Sequence, residues 1–313
     1  MVQKNMLSPR PWFRLFLAVV TAGVAFECSI PAHAADPQAS PATLVRTVVA
    51  KEAAATRNSS TKHMFLGRKQ TARGSQTKIY VQTTEAMAGL LIANDDKPIS
   101  AQQLQDESAH LERLATNRDE LHHKQKQERE DAEHALRIVE ALPDAFVYEF
   151  DGIEPSREGV GRVGDELVRL KFRPRPHYTP PSHVEQVLLG MEGYLLIDKN
   201  ACRLAKIEGT LFREVSFGWG ILGHLDKGGS FVVEQADVGD GTWDVTRMKL
   251  NFSGKIMMVK NLAIKSEETL RDFRRVPDDL TFAKGIELLK TEQARLQRGD
   301  SGLATANVSS ARR

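Results

Sequence analysis

Residues 192–235, EGYLLIDKNACRLAKIEGTLFREVSFGWGILGHLDKGGSFVVEQ, decide the fold. Strand-length runs of Leu, Ile, Val, Tyr and Phe are separated by Asp198-Lys199-Asn200, by Gly218-Trp219-Gly220 and by Asp226-Lys227-Gly228-Gly229. Such punctuation marks turns between strands. In the second run Ala205, Ile207 and Leu211 take one parity, and Lys206, Glu208 and Thr210 take the other. That is the period-two alternation of an antiparallel strand with one wetted face. The stretch reads as strand, tight turn, long strand, glycine-rich corner and strand, and it carries no catalytic signature.

Downstream, Trp243 to Phe252 puts Met248, Leu250 and Phe252 on one face. After a turn expected at Ser253-Gly254, Ile256, Met258, Leu262 and Ile264 repeat the pattern, which predicts a hairpin. Thr269 to Val276 reads as a last strand, Pro277-Asp278-Asp279 as the cap of a helix over 278–298, and 299–313 as a polar tail. Upstream, Glu166 to Phe172 and Phe146 to Phe150 alternate as strands. Between Phe172 and the organising stretch lies Arg173-Pro174-Arg175-Pro176-His177-Tyr178-Thr179-Pro180-Pro181. Four prolines there exclude a sheet interior, so residues 174–181 read as an extended loop, either a stiff connection or a Pro-rich recognition motif, leading into a short helix at Ser182 to Leu189.

Further upstream, residues 100–141 are rich in Gln, Glu, Lys, Arg and His, with Leu104, Leu111, Leu114 and Leu121 and then Ala132, Ala135 and Val139 on a narrow 3–4 stripe. Ser100 is an N-cap and Pro143 a stop. A continuous helix would be ~60 Å long at 1.5 Å per residue, so it projects, folds back, or divides near Thr116-Asn117. It reads as a solvated amphipathic insertion or a partner-binding coiled coil. Before it, His63 to Lys69, Thr77 to Thr83 and Met87 to Ala93 form a meander, and residues 35–58 pass from a Pro/Ser/Ala linker into a short helix near Leu44 to Ala55.

The chain begins with an export leader: basic Lys4, Arg10 and Arg14, an apolar run from Leu15 to Ala25, and the small-x-small site Ala32-His33-Ala34. Cleavage after residue 34 predicts a periplasmic mature protein. Cys28 lacks the small residue before it that lipid attachment requires. No later apolar run approaches the ~20 residues of a membrane span. The leader removes three of 43 basic and one of 41 acidic residues, leaving the mature chain formally neutral. Neutrality argues against a sequence-independent nucleic-acid partner. Cys28 leaves too, so Cys202 has no disulfide partner and stability rests on core burial.

Chemistry-bearing residues do not gather into a motif. His110, His122, His123 and His134 on the charged segment lack the i, i+4 spacing around a carboxylate that builds a zinc site. His177, His183 and His224 lie on loops without a second ligand cluster. There is no Gly-x-Ser-x-Gly, and the carboxylate pairs Asp95-Asp96, Glu267-Glu268 and Asp278-Asp279 are adjacent, so they point apart or into water. These readings predict a protein with no cofactor, no metal and no catalytic residue.

With those residues laid out, the chain resembles the lipoprotein-carrier superfamily of LolA, LolB and RseB. The likeness rests on Gly193-Tyr194-Leu195-Leu196-Ile197-Asp198, the strand Arg203-Leu204-Ala205-Lys206-Ile207-Glu208-Gly209, Gly228-Gly229-Ser230-Phe231, Trp243, and Arg274-Arg275-Val276. It covers about residues 60 to 96 and 145 to 277. The insertion at 100–141 and the proline-rich loop are additions to the family's basic pattern. The resemblance implies an unclosed half-barrel whose concave apolar face takes lipid acyl chains under a helical lid.

The expected fold is therefore α+β: a curved, open antiparallel sheet over 59–277, helices covering one face, and the helical insertion at 100–141. Parity assigns the cavity wall to Ala205, Ile207 and Leu211, to Phe231 and Val233, to Met248, Leu250 and Phe252, and to Ile256, Met258, Leu262 and Ile264. The expected function is a periplasmic carrier of a lipid acyl chain or lipoprotein. The alternative is an envelope scaffold or sensor that binds a protein partner through the sheet and the helix at 100–141. Which applies depends on whether the inner face encloses space or is filled by its own side chains.

Overall fold

The computed structural model describes residues 40–298, apart from 59, 219–221, 240, 258 and 259. The expected leader, its cleavage site and the polar tail lie outside the described residues. The strands are β1 (Lys62–Thr71), β2 (Gly74–Val81), β3 (Ala88–Asn94), β4 (Lys97–Pro98), β5 (Phe146–Pro155), β6 (Glu166–Pro174), β7 (Met191–Asp198), β8 (Arg203–Leu211), β9 (Val215–Phe217), β10 (Gly223–Leu225), β11 (Ser230–Gly239), β12 (Thr242–Ile256) and β13 (Lys260–Val276). The helices are α1 (Pro41–Arg57), α2 (Ala101–Thr116), α3 (Arg118–Ala145) and α4 (Phe282–Gln297), with a 3-10 segment at Glu185–Gly190.

The strands form one 13-stranded sheet, its main path ordered β4-β3-β2-β1-β13-β12-β11-β8-β7-β6-β5, with β9 and β10 attached beside β12. Every neighbouring pair is antiparallel, and the two ends of the path do not meet. The fold is α+β with a curved open sheet, as the alternation predicts. The sheet forks: β12 and β13 pair only as far as Arg247↔Thr269, beyond which β12 continues against β11 and β13 against β1.

The faces can be followed through paired residues. Met248 is opposite Glu268, and Glu268 is opposite Lys69, so those three share a face. Met64 and Leu66 have the other parity, as do their partners Val81, Ile79, Ala88 and Leu90. The main apolar cluster, with Val48, Leu142, Phe172, Phe231 and Leu250, occupies the first face beneath α1 and the C-terminal half of α3. A second cluster occupies the opposite face of β1–β3, where Phe282, Ile286 and Leu289 of α4 and Leu111 of α2 join Ile79 and Leu90. Helical cover is thus divided between the two faces.

The 100–141 insertion is two helices. Asn117 ends α2, its N–H reaching the Arg113 carbonyl at 2.9 Å, and starts α3, its side chain accepting from the Glu120 N–H at 3.2 Å. One asparagine that satisfies a group on each side breaks the helix at low cost. α2 opens with a capping box between Ser100 and Gln103. α3 runs past Pro143 to Ala145, so Pro143 does not stop it.

Three other boundaries differ from expectation. β12 passes through Ser253-Gly254 to Ile256 because β10 pairs with that end; a Cβ at Gly254 would lie 2.1 Å from the His224 carbonyl oxygen. The last helix is capped by Thr281, whose side chain accepts from the Lys284 N–H, and not by the aspartates before it. The helix expected at Ser182 to Leu189 is the short 3-10 segment.

Candidate functional site

The site is built where α1 and α3 cross the sheet. α1 buries Val45, Val48, Val49, Glu52 and Ala53, and α3 buries Asp131, Ala135, Ile138, Leu142 and Ala145. Both sets recur at intervals of three and four, which puts each on one stripe. The stripes cover the face formed by Phe146 of β5, Phe172 of β6, Leu195 and Ile197 of β7, Leu204 of β8, and Phe231 and Val233 of β11.

Between helices and sheet a cavity of about 60 Å³ remains. Ile138, Val139 and Leu142 form its roof, Val187, Leu188 and Met191 one wall, and Leu204, Ile207, Phe231 and Val233 its floor. Its polar margin is Glu52, Thr56 and Gln235. A cavity of ~150 Å³ lined by Leu, Ile and Phe holds a benzene ring and stays dry. This one is smaller, so it accepts a longer chain only if α1 or α3 lifts.

The margin is fixed by a buried ion pair. Arg203 on β8 donates from Nε and Nη2 to the two Glu52 oxygens at 2.8 and 2.9 Å, and the Leu204 N–H donates to the same carboxylate at 2.8 Å. Both side chains are almost fully buried, at 7% and 5% exposure. The Arg203 guanidinium also lies 5.4 Å from the Trp243 ring. Behind it Asp244 is fully buried, and desolvation raises its carboxyl well above the ordinary range, offset in part by the Val245 N–H and by Arg203. One Asp244 oxygen has no hydrogen-bond partner. Arg203 therefore pins α1 to the sheet and provides the cation nearest two buried carboxyl groups.

Of the cavity wall read from parity, Leu211, Phe231, Val233, Met248, Leu250 and Phe252 are buried in the main cluster, with Ile207 and Ile264 packed against it. Only Ile207, Phe231 and Val233 reach the cavity. Most of the series is filled core. Ala205 faces the other way, against Leu196 and Trp243. Leu196 pairs with Lys206 and Ile197 with Leu204, so Ala205 is the extra residue of a bulge and the parity flips there. Leu204, which parity put outside, points in. Ile256 and Leu262 lie at the half-exposed end of the β12–β13 hairpin and join no cluster. Met258 lies outside the described residues. The roof and wall are not among the residues that parity assigned; the Ala135, Ile138, Leu142 spacing on α3 signals the roof alone.

The face opposite carries a polar network. Glu234 meets Arg157 at 2.8 Å and Lys206 and Arg247 at 3.5 Å. Arg169 stacks 3.7 Å from the Tyr194 ring. Burial alone would raise the Glu208 carboxyl, but Lys206 and Tyr194 donate hydrogen bonds to it and hold it below the usual range. Elsewhere Glu214, His224 and Asp226 bring ligand atoms within 4.8 Å of one another. One nitrogen and two carboxylates, with Glu214 exposed, fall short of the four ligands of a structural zinc site. His177 and His183 are not part of that group.

No protein-family model matches the chain, and no curated protein does. A solved structure of a DUF1329 family protein from Desulfovibrio piger aligns with 75% of this chain and 92% of its own length, at 8% identity and a TM-score of 0.23. At that score the likeness carries no argument. Among the described residues, no helix is long and apolar enough to cross a membrane.

Proposed function

We propose that this protein is a non-catalytic periplasmic carrier that binds a lipid acyl chain, free or on a lipoprotein, between the sheet and the α1/α3 cover. The observation that supports it is the apolar cavity at that interface, roofed by Ile138, Val139 and Leu142 and bordered by one ion pair. Each methylene moved from water into such a space gains about 0.8 kcal/mol. A chain of ten or more therefore offsets the partial loss of helix–sheet contacts as the cover lifts. The Glu52–Arg203 pair sets which helix stays anchored.

The test is equilibrium binding of a fluorescent fatty-acyl probe. Val233→Trp fills the floor and should weaken binding at least tenfold, whereas Leu142→Ala enlarges the space and should strengthen it, both with the far-UV spectrum retained. Wild-type protein that binds no probe, or two variants indistinguishable from it, would overturn the carrier reading.

One observation favours the scaffold reading as a second role: α2 buries only Leu111 and leaves its other faces to solvent. Cross-linking from an exposed α2 position in intact cells should then trap a partner protein, and trapping of none removes that role.

A further inference from the structure

On the far side of the strands that wall the cavity lies an open cleft of about 510 Å³. Consecutive residues divide between the two spaces: Phe172, Leu188 and Met191 line the cavity, and Arg173, Leu189 and Glu192 line the cleft. The proline-rich loop forms one wall and Phe212-Arg213, after β8, the other. The cleft holds three arginines, no lysine and a single carboxylate, Glu192.

Two of the arginines are fixed, but not by acids. Arg175 donates from Nε to the Asp144 carbonyl at 2.9 Å and from Nη2 to the Phe146 and Pro143 carbonyls at 3.1 and 3.3 Å. Arg213 donates from Nη2 to the Leu189 carbonyl at 2.8 Å and lies 5.5 Å from the Phe212 ring. Among the described residues, no carboxylate comes within ion-pairing distance of Arg173, Arg175 or Arg213, although arginines elsewhere on the sheet are widely paired. His177, at the lip, is in the left-handed region with φ 64°. The prolines on either side of it stiffen the loop. Tyr178, also in the cleft wall, has a buried hydroxyl with no hydrogen-bond partner.

We propose that this cleft binds a phosphate monoester. Planar guanidinium forks match the oxygens of a phosphate in pairs, and backbone carbonyls that orient the forks leave their charge uncompensated. The lining is positive by two charges, three arginines against Glu192, in a chain that is formally neutral overall once the expected leader is removed. The two sources of such a group are a lipid headgroup at a membrane surface and a soluble phosphate ester. The site stands whether or not the cavity takes an acyl chain.

The test uses the full mature chain, sedimentation with phosphatidylcholine vesicles with and without phosphatidic acid, and calorimetry with glycerol 3-phosphate. Wild-type protein should bind the phosphatidic-acid vesicles or the soluble ester. Arg173→Gln with Arg213→Gln should weaken that binding at least tenfold while the circular dichroism spectrum is unchanged. Arg118→Gln, which removes one exposed charge at the start of α3, should not weaken it. Displacement by glycerol 3-phosphate identifies the ester alone as sufficient; arginine-dependent vesicle binding that the ester does not displace assigns the headgroup. The proposal is overturned if neither probe binds, if the double variant binds as wild type does, or if Arg118→Gln is as damaging as the double variant.

Discussion

Replacing Arg203 with Met tests the idea that one ion pair pins α1. The substitution keeps an unbranched apolar stem and removes the guanidinium, so the Glu52 carboxylate loses two of its three donors and keeps only the Leu204 N–H. Both partners are at most 7% exposed, so solvent cannot take over the lost bonds. Removing one partner of a buried pair costs about 3–5 kcal/mol because the remaining charge stays desolvated. The lost contact with Trp243 adds roughly 0.5–2 kcal/mol. Against a usual total of about 5–15 kcal/mol, that is a large share. Glu52→Met combined with Arg203→Met removes the stranded charge and should recover at least about 1 kcal/mol of the loss, although the Leu204 N–H then lacks its acceptor. Urea unfolding followed by circular dichroism at pH 7 measures both. A single variant that loses under ~1 kcal/mol, or a double variant no more stable than the single, would refute the account.

Leu250→Glu places an unpaired charge in filled core and should unfold the protein at 25 °C, read as loss of the near-UV spectrum. Asp244 has a folded-state pKa above its unfolded value of 3.8, so the native state binds the proton more tightly and stability declines as pH rises from about 4 through the raised value. Asp244→Asn should abolish that decline, seen as a flatter melting temperature against pH; an unchanged slope would mean that another group is responsible. Gly193→Ala would put a Cβ 1.9 Å from the Glu208 carbonyl oxygen, and it should cost at least ~2 kcal/mol by forcing β7 and β8 apart, measured by thermal unfolding.

Strand existence was legible wherever alternation was uninterrupted, as in β6, β12 and the meander of β1–β3. It failed locally where one residue changed the count. The bulge at Ala205 has no composition signal, because an alanine there suits either face, and it exchanged the orientations of Ala205 and Leu204. Gly254 was misread as a turn because the sequence does not show β10 lying against it. The leucine stripe of α2 was visible, yet which face of the sheet it covers depends on long-range pairing that a local pattern does not encode. The cavity roof on α3 and the wall from the 3-10 segment lie far from the floor in sequence, so parity within strands found three of its residues and missed the rest.

The pairing of β1 with β13 also sets an order for folding. Lys62 lies opposite Val276, so the meander made first joins the rest of the sheet only through the last strand of all. Long sequence separation makes such contacts slow, since the loop between them must be closed before the pairing gives anything back. Until β13 arrives, the strand carrying Met64, Phe65 and Leu66 has one unpaired edge, and an unpaired apolar edge is a template for pairing with another chain. A chain in which β13 has not yet paired therefore presents that edge bare, and pairing with another chain competes with folding until it closes.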